Sequence, residues 1–167
     1  MKLIERIMKS AFRKIFPATF LLFGIGVQSQ TMSTDHWSRD KLLERAQHLR
    51  QLAAQDGGSA SETLDKYPHH YTMLAFRSQD GGSELHQNFA DMFTILDGHV
   101  TLITGGEIVD PKTTAPGEIR GASVKGGVRQ ELKPGDVVHI PAGTPHQMLV
   151  ADGETVTYFV VKIEESR

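Results

Sequence analysis

The chain has 167 residues, with 18 Lys+Arg, 20 Asp+Glu, 8 His, 16 Gly and no Cys, enough for one compact domain with a core and hardly for two. Lys2, Arg6, Lys9, Arg13 and Lys14 lie among the first 29 residues with only Glu5 against them, so residues 30–167 hold 13 basic and 19 acidic groups. That balance leaves no electrostatic footprint for nucleic acid or an anionic membrane surface, and the lack of cysteine excludes disulfide scaffolds, thiolate zinc sites and cysteine nucleophiles.

Residues 1–29 read as a signal peptide: a basic start, then an uncharged apolar run over 15–27, with cleavage expected between Ser29 and Gln30. The run is shorter than the roughly 20 residues of a spanning helix. The expectation is therefore an exported protein, periplasmic or secreted, with no stable membrane span after processing; a retained anchor and an ordinary buried helix of a cytosolic protein are the alternatives. Residues 30–68 read as a helical extension and connector. Over 37–55 the apolar Leu42, Leu43, Ala46, Leu49, Leu52 and Ala53 recur at three- and four-residue intervals, which predicts one amphipathic helix. Thr34, Asp35 or Ser38 can cap it and Gly57-Gly58 stops it, while 59–68 is expected to be a connector.

From residue 69 to 167 the hydrophobic period changes to two. Strands are predicted at 71–77, 92–96, 100–104, 137–140 and 155–163, separated by Asp80-Gly81-Gly82, Asp97-Gly98, Gly105-Gly106, Pro134-Gly135 and Asp152-Gly153. Many short strands with glycine at the corners imply an all-β antiparallel sandwich or small barrel. Residues 110–127, rich in Pro, Gly and Thr, are expected to be a long loop: a lid, a binding loop, a dimer arm or a tolerated insertion.

One segment carries the most specific pattern: Gly135-Asp-Val-Val-His-Ile-Pro141-Ala-Gly143-Thr-Pro-His146-Gln-Met-Leu-Val150. Two turns bracket a strand, and His146 opens the next one. The spacing resembles the second motif of the cupin superfamily, departing only at Val150, where the pattern has Asn. The family's first motif is matched without a gap by Glu84-Leu-His86-Gln-Asn-Phe-Ala-Asp91-Met-Phe-Thr-Ile-Leu-Asp-Gly98, with Glu84 at a histidine position and Asp91 at a glutamate position. The resemblance covers about residues 70–163 and is to small single-domain cupins of the cupin 2 type. It implies an antiparallel jelly-roll barrel over 69–167, preceded by the helix, and a homodimer as a possible partner arrangement.

Residue chemistry supports the same grouping. Residues 84 and 86 share one face of a strand, since side chains alternate with period two, while His146 and Asp91 arrive on other strands. His86, His146 and Asp91 make a two-histidine, one-carboxylate triad with open positions, and Glu84 stands as a fourth ligand or the base beside it. The cofactor expected is one divalent transition metal, Mn, Fe or Zn. His139 is placed either in the pocket or at its rim, and Arg120, in the long loop, and Arg129, just after it, are expected to be solvated. The function that follows is a metal-dependent enzyme acting on a small polar molecule, with Glu84 as its catalytic proton carrier. The resemblance implies dioxygenase, isomerase or lyase chemistry. The alternative is a non-catalytic module that binds a sugar or metabolite.

Overall fold

The computed structural model describes residues 34–165, so the signal peptide read over 1–29 lies outside the described residues. Helix α1 (Arg39–Ala53) begins where Ser38 Oγ accepts a hydrogen bond from Lys41 N at 3.3 Å, with Asp40 in the first turn and Arg50 in the last, both favourable to the helix dipole. Its buried residues Leu42, Ala46, Leu49 and Ala53 form one stripe. Gly58 N closes the end on Ala53 O at 2.9 Å.

Residues 59–68, expected as a connector, instead contain strand β1 (Ser59–Lys66), which pairs antiparallel with β2 (His70–Arg77) from Ser59↔Arg77 to Lys66↔Tyr71. The strand is polar in composition, yet Ala60, Glu62 and Leu64 are half-buried while Ser61 and Thr63 are exposed. Period two was present but carried by small and polar residues. The long loop expected at 110–127 is also structured, holding β7 (Lys112–Ala115), β8 (Glu118–Gly121) and β9 (Ser123–Lys125). The remaining strands are β3 (Ser83–His86), β4 (Phe89–Gly98), β5 (Val100–Thr104), β6 (Glu107–Val109), β10 (Val128–Leu132), β11 (Val137–Ile140), β12 (His146–Leu149) and β13 (Val156–Glu164).

These strands form a five-stranded sheet ordered β1-β2-β13-β4-β11, a six-stranded sheet ordered β10-β5-β12-β3-β8-β7, and the small pair β6-β9. The expectation of a closed jelly-roll barrel is overturned. Each large sheet has two different edge strands, β1 and β11 in one and β10 and β7 in the other, so neither hydrogen-bonding ladder returns on itself. The cause is ladder pairing, since these edge strands find no hydrogen-bonded partner in the other sheet. Strands adjacent in sequence are passed to opposite sheets: β4 to β5 through Gly98, and β11 to β12 through Pro141-Ala142-Gly143. Gly98 has φ 77°, and a Cβ there would stand 1.8 Å from Thr155 O, so the chain turns at a point only glycine can occupy.

The sheets pack into a sandwich around Phe93, Ile95, Leu102, Ile140, Met148, Val156, Tyr158 and Val160. The opposite face of the five-stranded sheet carries Leu74, Phe76 and Leu96, which α1 covers with its buried stripe. Alternation separates the two layers: Leu74 and Phe76 face the helix and Ala75 between them faces the sandwich interior. Burying a leucine such as Leu49 in this second layer is worth about 1.5–3 kcal/mol. Among the described residues no helix is long and apolar enough to cross a membrane.

Candidate metal centre

The site lies between the two large sheets, and strand register accounts for most of its contacts. Glu84 on β3 is directly opposite His146 on β12 and opposite Arg120 on β8. His86, two residues on and therefore on the same face, is opposite Glu118 on β8. On the facing sheet, Asp91 on β4 is opposite Lys162 on β13. The Pro141-Ala142-Gly143 corner delivers His146 as the first residue of its strand, while Val150, at the position where a cupin pattern has Asn, is buried in the sandwich core.

Glu84, His86 and His146 bring one ligand atom each to within 4.8 Å of one another, a buried two-histidine, one-carboxylate cluster able to hold a metal ion. Hydrogen bonding prepares both imidazoles for that role. His86 Nδ1 is 2.6 Å from Glu118 Oε2 and His146 Nδ1 is 3.0 Å from Thr144 O. The Thr144 carbonyl only accepts, so His146 Nδ1 carries the proton and Nε2 presents its lone pair to the cluster. For His86, Lys162 Nζ stands 2.8 Å from Nε2, and an ammonium only donates; Nε2 is again the acceptor and Nδ1–H donates to Glu118. An oxygen partner behind each ring is the arrangement that orients metal-binding histidines. His146 Nε2 is buried with no hydrogen-bond partner among the described residues, an orphaned acceptor aimed into the cluster. Burial holds this imidazole below its ordinary value, against the pull of the Thr144 carbonyl and nearby carboxylates, and so keeps it neutral. The donor set thus fits a divalent transition metal.

Asp91 adjoins both histidines and is paired with a lysine. Its Oδ2 lies 3.5 Å from His86 Nε2 and 3.6 Å from His146 Nε2, beside the cluster, but its carboxylate is engaged by Lys162. Lys162 Nζ hydrogen-bonds Oδ2 at 2.7 Å and touches Oδ1 at 2.6 Å; the second contact lacks hydrogen-bond geometry and leaves Oδ1 without a donor. Both carboxylates reach the histidines, Glu84 Oε2 lying 3.4 Å from His86 Nε2 and 3.8 Å from His146 Nε2, and Glu84 is the one that forms the compact three-residue group with them. Asp91 is 1% exposed, and burying it ionised requires the lysine.

Glu84 is held by two arginines. Arg120 Nη1 approaches its Oε1 at 2.5 Å and Arg77 Nη2 at 3.4 Å. Burial alone would raise this carboxyl, but the neighbouring Arg120 and Arg77 guanidiniums draw it down, and it lies below the usual carboxylate range. A carboxylate held ionised in this way is suited to ligation.

The cluster opens into a cavity of about 190 Å³, below the roughly 300–1,000 Å³ of drug-sized sites. Arg77, Arg120 and Lys162 line it against Glu84, Asp91 and Glu118, so the charged walls balance, and Met73, Phe93 and Val160 supply an apolar side. Tyr158, fully inside, accepts from Arg77 Nε at 3.1 Å, and burial pushes its hydroxyl up. Arg120, expected in solvent, is an ion-pair partner of the cluster; His139 is exposed and outside the cavity.

Sequence reasoning missed Lys162, Glu118 and Arg77. For Lys162 a signal existed: along β13 it shares the buried face of Tyr158 and Val160, and a charge at such a position needs a partner. Glu118 has no local signal, because its role depends on the β3–β8 register.

No family model and no curated protein matches the chain. Among solved structures it resembles the polyketide cyclase RemF from Streptomyces resistomycificus, at 17% identity and TM-score 0.47 over 65% of this chain and 66% of that one. It also resembles the DMSP lyase DddQ from Ruegeria pomeroyi DSS-3, at 16% identity and TM-score 0.48 over 65% of this chain and 48% of that one. A third is the Cnp3 cupin domain of Schizosaccharomyces pombe, at 12% identity and TM-score 0.49 over 64% of this chain and 65% of that one. The chain spans less than two thirds of each of these three structures. By its own geometry, two antiparallel sheets enclosing a Glu/His/His cluster with the turn-strand-histidine motif, the fold is cupin-like.

Proposed function

We propose that this protein is a metal-dependent enzyme acting on a small polar molecule, with Glu84, His86 and His146 as ligands to one divalent transition metal, Mn, Fe or Zn. The observation that carries the reading is the convergence of two Nε2 atoms, each ring anchored through its Nδ1, on a carboxylate held ionised, with His146 Nε2 lacking any other partner among the described residues. A metal in such a site supplies Lewis acidity and open coordination positions. The chain's own residues do the rest. Arg77 and Arg120 fix Glu84, Glu118 sets the His86 tautomer, and the apolar wall of Met73, Phe93 and Val160 limits the water reaching the cavity.

Non-catalytic capture of a small ligand is favoured by one specific observation: Arg120 and Arg77 both contact Glu84 Oε1, which ties the candidate proton carrier into ion pairs. Export through residues 1–29 belongs to the same proposal and rests on the sequence pattern alone. The test is elemental analysis of protein purified without chelator, which should give close to one metal per chain, lost in His86→Ala/His146→Ala. Retention of metal in the double variant refutes the assignment. A metabolite screen on metal-loaded protein then separates turnover from tight binding without turnover.

A further inference from the structure

The lone pair of His86 that a metal would use is already engaged. Lys162 Nζ lies 2.8 Å from His86 Nε2 while hydrogen-bonding Asp91 Oδ2 at 2.7 Å. A nitrogen lone pair cannot serve an ammonium proton and a metal ion together, and a divalent ion there would also face the lysine's charge at contact range. The other side of the cluster differs: His146 Nε2 has no partner among the described residues, so the ammonium serves one imidazole of the two. Lys162 is itself 8% exposed, on the inward face of the strand between β2 and β4, where its register fixes it opposite Asp91.

We propose that Lys162 is a tethered cation that stands in for the metal: it compensates Asp91 and His86 in the metal-free protein, and its ammonium leaves His86 when an ion enters. The inference rests on the metal-site reading above. Two consequences follow. Removing the lysine's charge tightens metal binding, the opposite of what loss of a structural residue does to a site. The metal-free protein then loses its compensation for a buried carboxylate and becomes less stable, and metal restores it.

The experiment compares wild type, Lys162→Met and Lys162→Gln, all freed of metal with chelator and exchanged into one buffer, by calorimetric titration with Zn²⁺ and by urea unfolding with and without Zn²⁺. Glutamine retains an amide donor for Asp91 without the charge, so it decides the matter where the methionine variant fails to fold. The expected result is Zn²⁺ affinity about tenfold or more above wild type, the scale of one like charge removed beside a ligand atom. It is accompanied by a lower urea midpoint without metal that recovers with it. Equal or weaker Zn²⁺ binding by both variants, with wild type binding normally, overturns the role of Lys162 and leaves the metal site standing. An unchanged metal-free midpoint overturns the compensation of Asp91. Absence of binding by all three proteins overturns the metal-site reading, and this proposal with it.

Discussion

Replacing Glu118 with alanine tests the wiring of the site without touching a proposed ligand. Glu118 Oε2 accepts from His86 Nδ1 at 2.6 Å, and His86 is buried, so the bond is short, charge-assisted and partly shielded from water. Bonds of that type are worth about 1.5–3 kcal/mol, and losing the oxygen behind a metal-binding histidine lowers affinity about 10–100-fold, or roughly 1.4–2.7 kcal/mol. Arg120 loses only a 3.5 Å contact in the variant and keeps Glu84 at 2.5 Å, so the carboxylate stays in place. Zn²⁺ titration of metal-free protein should therefore show Glu118→Ala weaker by at least about tenfold. Glu118→Gln retains an acceptor oxygen for the same N–H and should recover most of the loss. Equal affinities for wild type and Glu118→Ala would refute the claim that this bond prepares His86.

Two further outcomes follow from the geometry. His146 is held neutral by burial, with its folded value below the ordinary one, so the unfolded chain takes up the proton first as pH falls. Stability from this group is complete above about pH 6.5 and declines below it, with a slope of up to about 1.4 kcal/mol per pH unit; urea unfolding of metal-free protein should show that slope, and His146→Gln should reduce it. In the helix layer, Leu49→Ala should cost about 2–5 kcal/mol in urea unfolding, whereas Leu52→Ala on the same helix, 41% exposed in the native chain, should cost well under half of that; similar losses at both positions would contradict the packing described.

The parts of the site legible in the sequence were those with local geometry. Alternation alone puts Glu84 and His86 on one face, and the Pro141-Ala142-Gly143 corner announces the strand that His146 begins. The cation that holds Asp91 was not legible: Lys162 meets it across β13 and β4, a pairing between residues far apart in sequence. The strand β1 was hidden by polar residues whose alternation becomes meaningful only beneath α1. Closure was hidden too, because whether edge strands meet is decided by ladder partners and not by the turn signals that place the strands. The same long-range dependence concealed Glu118 and Arg120, whose segment reads as loop until β3 supplies a neighbour.

The position of β13 has a consequence for how the molecule assembles. It pairs with β2 on one side and β4 on the other, and those two strands share no ladder. Until it docks, β2 and β4 each present an unpaired edge, and bringing it in closes long loops before the contacts that offset their entropy exist. Folding should therefore be slow for the size of the domain. Because β13 also carries Lys162, the event that seals the sheet is the one that brings the ammonium to Asp91 and His86.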